Sequence, residues 1–168
     1  MSFANSGWTV VVEDVSEIPA FVYEKPYVLV VDDEPSILSV ILMVLEAEGY
    51  NGIGFSNSQK VIPFFEHIVT ADKQKGLHLP SVMMLDLMMP VVSGYKIAAQ
   101  LSQKEETAKV PIIVLTADYR VSSASAVPGA SDFLSKPFRI TTLLAKVEKY
   151  CALASAPSTV SEKICYPL

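Results

Sequence analysis

Short apolar runs alternate with segments of helical periodicity along most of this 168-residue chain. Most of the runs are apolar almost throughout, which is typical of strands that a parallel sheet buries on both faces. They span residues 27–31, 53–55, 82–86, 110–116 and 131–135, of which 53–55 is the weakest. Between them, apolar residues recur three or four positions apart, as in helices that cover such a sheet. The alternation therefore predicts an α/β fold.

The helical segments complete a doubly wound arrangement. They span residues 35–49, 58–70, 95–104 and 140–147. Pro35 suits the first turn of its helix, and Gly49 suits the end of the same helix. Because five strand–helix units fit between Tyr27 and Cys151, we expect a doubly wound five-stranded parallel sheet with helices on both faces.

The fourth helix is the exception in this pattern. Residues 119–129 contain few strong helix formers, and Pro128 with Gly129 would end a helix early. We therefore expect the fourth helix to be short or irregular.

Two terminal segments fall outside the alternation. Residues 1–25 contain the run from Trp8 to Val12, which indicates an added strand. Residues 152–168 are rich in Ala, Ser and Pro, as terminal tails often are. We expect an N-terminal extension over 1–25, one domain over 26–151 and a tail over 152–168.

Composition disfavours contact with nucleic acid or membrane. The chain has 13 Lys and Arg against 18 Asp and Glu, with a net charge of −5 and no basic run, whereas phosphate backbones are bound by clustered cations. It has neither an uncharged apolar stretch of about 18 residues, as a spanning helix needs, nor the basic start of a secretory signal. Cys151 and Cys165 are interpreted as reduced thiols, with a bridge between them as the alternative. The pattern predicts a cytoplasmic protein.

Residues with useful chemistry follow the ends of the predicted strands. Asp32 and Asp33 follow one strand, Asp86 and Thr116 end two others, and Lys136 follows a fourth. The carboxyl ends of parallel strands converge on one crevice, where such folds bind ligands. Clustered carboxylates repel each other unless a cation joins them, and an oxygen-rich site suits Mg²⁺. Carboxylate, metal, lysine and threonine together indicate an aspartyl-phosphate site.

Each of these residues also has an ordinary structural interpretation. An Asp at a strand end is often a turn residue or a helix cap. Asp32 and Asp33 before Pro35 also fit a solvated acidic helix start, which the helix dipole favours. Thr116 is a β-branched residue of the kind common in strands. It is their joint arrangement at successive strand ends that favours the chemical interpretation.

Four sequence blocks resemble, in order, the signature blocks of bacterial two-component response-regulator receiver domains. They are Val30–Pro35 (VVDDEP), Leu85–Pro90 (LDLMMP), Leu115–Ala117 (LTA) and Lys136–Phe138 (KPF). The resemblance covers residues 27–151 and implies a flavodoxin-like fold of the CheY type. We expect the receiver to stand alone, because the remaining tail is too short to bury a second core.

The resemblance also implies an acceptor and a metal site. Asp86 would be the phosphoacceptor, taking the phosphoryl group from a histidine kinase or a phosphotransfer protein. Asp33, Asp86 and the backbone carbonyl of Met88 would bind Mg²⁺ directly, and Asp32 would act through water.

Further roles follow from the same resemblance. Lys136 would pair with phosphoryl or carboxylate oxygens, Thr116 would bond the phosphoryl group, and Phe133 would be the aromatic switch coupled to it. Met88 and Asp118 occupy the positions expected to tune hydrolysis of the aspartyl phosphate. Because a methionine cannot hydrogen-bond an attacking water, we expect a long-lived phosphorylated state.

The first predicted helix is apolar on its outward positions as well. No charge occurs from Ser36 to Leu45, and Val40, Met43 and Val44 are the expected outward residues. Either residues 1–25 cover this face, or the face docks a kinase or a second subunit, since exposed apolar patches usually mark contacts.

Two other functions stay open from the sequence. One is a receiver-like interaction module that is never phosphorylated, although such a module has no need for clustered like charges. The other is an aspartyl-phosphate hydrolase, an enzyme class that places a second acid two residues after its nucleophile, where this chain has Met88. The sequence names neither the kinase nor the downstream protein target, and it leaves a homodimer open.

Overall fold

A parallel sheet of six strands forms the centre of the computed structural model, which describes residues 8–19, 26–75 and 78–155, without the side chains of 71–75 and 155. The strands are β1 (Thr9–Val11), β2 (Val28–Val31), β3 (Gly52–Phe55), β4 (Val82–Asp86), β5 (Ile112–Thr116) and β6 (Asp132–Ser135). Their order in the sheet is β1-β3-β2-β4-β5-β6, and every neighbouring pair is parallel.

Helices cover both faces of the sheet. They are α1 (Pro35–Ala47), α2 (Val61–Lys75), α3 (Gly94–Ser102), α4 (Glu105–Ala108) and α5 (Ile140–Ser155), and short 3-10 turns occur at Val15–Glu17, Ser58–Lys60 and Ala124–Ala126. Apolar residues of α1 and α5 pack in one core cluster, and those of α2 and α3 pack in another. The predicted doubly wound α/β fold is therefore confirmed.

Strand β4 shows why the predicted strands are apolar without alternation. Val82 and Met84 belong to the core on the side of α1 and α5, whereas Met83 and Leu85 belong to the core on the side of α2 and α3. Successive side chains of a strand point to opposite faces, and both faces are covered here. A strand in this position therefore needs an apolar residue at every step.

The sheet has one strand more than the five that the helical units predict. The N-terminal run forms β1, which pairs in parallel with β3 and places Thr9 opposite Gly52. The N–H of Val12 extends this ladder by donating to the carbonyl of Gly54 at 2.8 Å. Val12 is also 2% exposed and lies in the core on the side of α2. The extra strand thus contributes to the core.

The segment from 119 to 129 is irregular, as predicted. Its one short helical element is the 3-10 turn Ala124–Ala126. Val121 and Val127 anchor the segment in the core. Gly129 has φ of +83°, and a Cβ there would come within 2.8 Å of the carbonyl oxygen of Ala98. This close approach to α3 requires glycine. The short helix α4 lies earlier in the chain and was not predicted.

Several boundaries differ from the sequence-based expectation. Helix α2 continues to Lys75, five residues beyond the predicted end at Thr70. Helix α5 continues to Ser155, so residues 152–155 of the expected tail are helical too, while 156–168 lie outside the described residues.

Burial raises the pKa of the Cys151 thiol to about 11. Within the described part of the chain, no helix is long and apolar enough to cross a membrane.

The outer face of α1 is apolar and exposed. Val40 is 49% exposed and Met43 is 68% exposed, while Val44 is partly buried. The described part of the N-terminal extension meets α1 at its far end, where the Thr9 hydroxyl donates to the Glu46 carboxylate at 2.8 Å. Residues 8–19 therefore leave Val40 and Met43 uncovered, and the rest of the extension lies outside the described residues.

The added strand can be tested through its buried residue. We expect Val12→Ala to lower the free energy of unfolding by about 1 to 2 kcal/mol, because buried methyl groups are lost and a cavity is left. Val11→Ala is the matched control, because Val11 is 40% exposed, and its effect should stay below about 0.5 kcal/mol. Urea unfolding measures both. Equal, small effects of the two substitutions would show that β1 is not part of the cooperative fold.

Candidate functional site

The site lies where the chain changes direction across the sheet. Strands β2 and β4 are neighbours, but the chain leaves β2 towards β3 on one side and leaves β4 towards β5 on the other. The two connections diverge at the carboxyl ends of β2 and β4 and open a crevice there, as is usual in folds of this kind. Asp32 and Asp33 follow β2, and Asp86 ends β4, so all three acids lie at this crevice.

The three carboxylates are close together. Asp32, Asp33 and Asp86 each offer an oxygen atom within 4.8 Å of those of the other two. Asp32 is fully buried and Asp86 is nearly so, whereas Asp33 is partly exposed. Burial raises the pKa of Asp32 and of Asp33, and the nearby charge of Asp86 adds to this effect on both. The crevice therefore concentrates negative charge that needs a cation.

Lys136 supplies the positive charge within the protein. It follows β6, and its Nζ lies 2.7 Å from Oδ2 of Asp32 and 3.3 Å from Oδ2 of Asp86. Burial would lower the pKa of Lys136, but the hydrogen bond to Asp32 and the charges of Asp32 and Asp86 outweigh it, so the pKa is raised. The lysine is therefore a cation that bridges two of the predicted site carboxylates.

The Asp86 side chain is also held by its own loop. The N–H of Met88 donates to Oδ1 of Asp86 at 3.1 Å, while Oδ2 faces the Lys136 ammonium at 3.3 Å. The backbone behind Asp86 packs on Gly94, where a Cβ would collide with the Asp86 carbonyl oxygen. Gly94 was not predicted from the sequence. The local sequence signal for Gly94 is its position directly after Ser93, the residue that caps the start of α3.

Thr116 ends β5 and is fully buried. Its hydroxyl accepts a hydrogen bond from the N–H of Asp118 at 2.9 Å, and its carbonyl accepts one from the N–H of Lys136 at 2.7 Å. Leu115 is opposite Asp86 in the β4–β5 register, so Thr116 lies one residue beyond the position opposite Asp86. The structure thus connects Thr116 to the backbone of the site lysine.

The Asp118 carboxylate faces Arg120, which was not predicted to belong to the site. The Arg120 guanidinium binds Asp118 with Nη2 to Oδ2 at 2.7 Å and Nε to Oδ1 at 2.9 Å. Hydrogen bonds from Arg120 lower the pKa of Asp118 to about 2. Arg120 is largely exposed, so this pair lies at the rim of the site.

Phe133 lies on β6, away from the acid cluster. It is opposite Val114 in the β5–β6 register, two residues before Thr116, and it is half-buried. Lys146 lies over its ring, with Nζ 6.0 Å from the ring centroid, and also binds Asp132 at 2.6 Å. The lysine was not predicted to belong to the site, because its nearness to Phe133 depends on how α5 packs on the sheet.

The donor set fits a magnesium ion. The residues that converge offer carboxylate oxygens, and hard oxygen ligands are those that Mg²⁺ prefers. Soft ligands such as thiolates would favour other metals. The cluster of Asp32, Asp33 and Asp86 contains no soft ligand. The described residues of the crevice are therefore compatible with the predicted cation.

Comparison with known proteins gives the family. The profile of the response regulator receiver domain matches residues 28–148. The DNA-binding dual master transcriptional regulator RpaA of Synechocystis sp. is 32% identical over 127 residues, which cover 73% of this chain and 47% of that protein. The phosphate regulon transcriptional regulatory protein PhoB of Pseudomonas aeruginosa is 34% identical over 125 residues, which cover 72% and 49%. The solved response regulator protein TrrA from Thermotoga maritima, in complex with Mg²⁺-BeF, is 28% identical, with a TM-score of 0.62, over 75% of this chain and 99% of that one.

The chain belongs to the response regulator receiver domain family, so the resemblance seen in the four sequence blocks is confirmed. Receiver domains are signalling phosphoacceptors rather than conventional enzymes, and this is the role that the family assigns to the chain. The chain spans about half the length of the curated relatives RpaA and PhoB.

Proposed function

We propose that Asp86 accepts a phosphoryl group from a phosphohistidine of a histidine kinase or phosphotransfer protein, and that the phosphorylated domain then changes its protein contacts. The observation that carries the proposal is the position of Asp86. It is a buried carboxylate at the end of β4, beside Asp32 and Asp33, with the Nζ of Lys136 at 3.3 Å. This is the arrangement that an acceptor carboxylate needs, because the product adds charge that must be offset.

The transfer forms one bond and breaks another. A carboxylate oxygen of Asp86 attacks the phosphorus, the P–O bond forms, and the P–N bond to the donor imidazole breaks. The imidazole leaves as a neutral ring, its nitrogen taking a proton from the surrounding water. Lys136 stays protonated throughout, because its raised pKa keeps it a cation, and it can offset charge on the phosphoryl oxygens. Besides the Asp86 nucleophile, the protein therefore contributes position and charge.

Magnesium would be held by Asp33, by Asp86 and by the backbone carbonyl of Met88, with Asp32 acting through water. The convergence of the three carboxylates supports this assignment, and the related protein TrrA was solved in complex with Mg²⁺-BeF. When bound, the cation supplies positive charge to the phosphoryl oxygens.

Readout of the phosphorylated state is proposed to involve Thr116 and Phe133. The Thr116 hydroxyl now accepts from the N–H of Asp118, so a turn towards a phosphoryl group on Asp86 would break that bond. The carbonyl of the same residue holds the backbone of Lys136, which links β5 to the end of β6. Phe133 on β6 would respond to that movement.

The phosphodonor is proposed to dock on the exposed face of α1. Val40 and Met43 are exposed on this helix. A groove beside them is lined by Ile37, Phe138 and Lys136, so it runs from the apolar face to the site lysine. A helix of a phosphotransfer protein that covered this face would bring its phosphohistidine to the crevice.

Acetyl phosphate with Mg²⁺ tests the acceptor. The wild-type protein should gain the mass of one phosphoryl group, and Asp86→Asn should lose that gain, because an amide is not a nucleophile for phosphorus. Asp14→Asn is the matched control, since Asp14 is exposed in the N-terminal extension, and it should be labelled like the wild type. Intact-protein mass spectrometry reads all three. A mass gain that survives in Asp86→Asn would refute the acceptor, and steady phosphate release without a stable gain would indicate a hydrolase.

The lifetime of the aspartyl phosphate tests the tuning role of Met88. Met88 is exposed and has no group that can orient water, so the phosphorylated state should last minutes or longer. Met88→Asn should shorten it about five- to tenfold, because an added hydrogen bond of about 1 kcal/mol can assist the attacking water. Met43→Asn, at a similarly exposed methionine, should leave the lifetime unchanged. Decay of the wild type within seconds, in Mg²⁺ and without a phosphatase, would contradict this prediction.

Met43→Glu tests the docking face. The donor is a phosphotransfer protein that carries a phosphohistidine and labels the wild type. Transfer from this donor to the variant should be slower by about tenfold or more, because a charge would be buried at the contact. Labelling by acetyl phosphate should not change, since that donor needs no protein contact. Ala47→Glu, at the end of the same helix, is the control. Equal slowing with both donors would place the effect in the site rather than in docking.

A further inference from the structure

The loop between β4 and α3, residues 87–93, contains a strained turn. The carbonyl of Pro90 accepts a hydrogen bond from the N–H of Val92 at 2.8 Å, which closes a three-residue γ-turn. Val91 at its centre has φ of +64°, a left-handed conformation that β-branched residues rarely adopt. The Val91 side chain is 79% exposed, so its own packing does little to hold this conformation. Such strain persists only where the surroundings fix it.

Ser58 makes a second hydrogen bond to the same carbonyl. Its Oγ donates to the oxygen of Pro90 at 3.0 Å, and the residue is 5% exposed. The hydroxyl is well placed because Ser58 begins a 3-10 turn whose cap is Asn57, with Oδ1 accepting from the N–H of Gln59 at 3.0 Å. A rigid turn after β3 therefore fixes the strained turn after β4.

The loop matters because it carries Met88. The Met88 N–H donates to the Asp86 carboxylate, and the Met88 carbonyl is the backbone ligand proposed for Mg²⁺. The far end of the loop is fixed where Gly94 packs on the Asp86 backbone and donates to the Leu87 carbonyl. With both ends anchored, the conformation of the turn at Pro90 decides where the Met88 backbone lies.

We propose that Ser58 is a positioning residue that latches the acceptor loop by holding the Pro90 carbonyl, so that the Met88 backbone is in place before the cation and the phosphodonor arrive. The effect of this latch on the magnesium site rests on the proposed function of Asp86. The hydrogen bond from Ser58 to Pro90 does not depend on that function. Ser58 acts only through the loop and lies outside the four sequence blocks that match the family.

The latch is tested with Ser58→Ala. In the metal-free protein, amide hydrogen exchange at Val92 should become about fivefold faster, because loss of one hydrogen bond favours opening of the turn. The dissociation constant for Mg²⁺, measured by NMR titration with magnesium chloride, should rise about two- to fivefold, because the ligand-bearing loop is no longer held. Ser102→Ala is the matched control, since that hydroxyl also donates to a backbone carbonyl, on α3, and it should change neither quantity.

Rescue separates a latch from simple packing. Val91→Gly removes the strain, because glycine adopts positive φ freely. Added to Ser58→Ala, it should return the Mg²⁺ dissociation constant to within about twofold of the wild type, whereas alone it should have little effect. A void left by the serine hydroxyl would not be repaired by a change at an exposed residue in another loop.

Three results would overturn the latch. These are unchanged exchange at Val92 in Ser58→Ala, an unchanged Mg²⁺ dissociation constant in the same variant, and failure of Val91→Gly to restore binding. Failure of the proposed function would differ, since the wild type would then take no phosphoryl group from acetyl phosphate. In that case faster exchange at Val92 would still support the hydrogen-bond latch, and unchanged exchange would still refute it.

Discussion

The repulsion among three neighbouring carboxylates is the interaction on which the rest of the site depends. Asp32, Asp33 and Asp86 have oxygens within 4.8 Å of one another, two of them on buried residues, and such a cluster is costly without a cation. Lys136 offsets part of that charge by reaching both Asp32 and Asp86. This requires β2, β4 and β6 to end at the same edge, which the parallel, doubly wound arrangement provides. The residual negative charge is what suits the crevice to a divalent cation.

Those parts of the fold that rest on local pattern could be predicted from the sequence. Each central strand is buried on both faces, so runs such as Val82 to Asp86 carry no polar interruption until the acid that ends them. The irregular segment after β5 was predictable too, because Pro128 and Gly129 act within their own stretch of chain. The sixth strand was visible as an apolar run, but its pairing with β3 depends on contacts distant in sequence.

The residues of the site likewise divide into those that could be predicted from the sequence and those that could not. The acids, Thr116 and Lys136 were predictable because strand ends converge by topology. The pairing of Arg120 with Asp118, the lysine over Phe133 and the hydrogen bond of Ser58 to Pro90 were not, because each depends on a loop or helix placement that no local pattern encodes. The four sequence blocks thus contain the groups that are proposed to react. The residues that hold those groups in place lie mostly between the blocks.

The aspartyl phosphate proposed at Asp86 can itself be trapped chemically. After labelling with acetyl phosphate and Mg²⁺, reduction with borohydride converts an aspartyl phosphate to homoserine, and tandem mass spectrometry of the peptides locates the converted residue. Phosphorylation of Asp86 predicts homoserine at position 86 and at neither Asp32 nor Asp33. Conversion at another aspartate, or a stable phosphoryl group that resists reduction because it is on a hydroxyl, would contradict it.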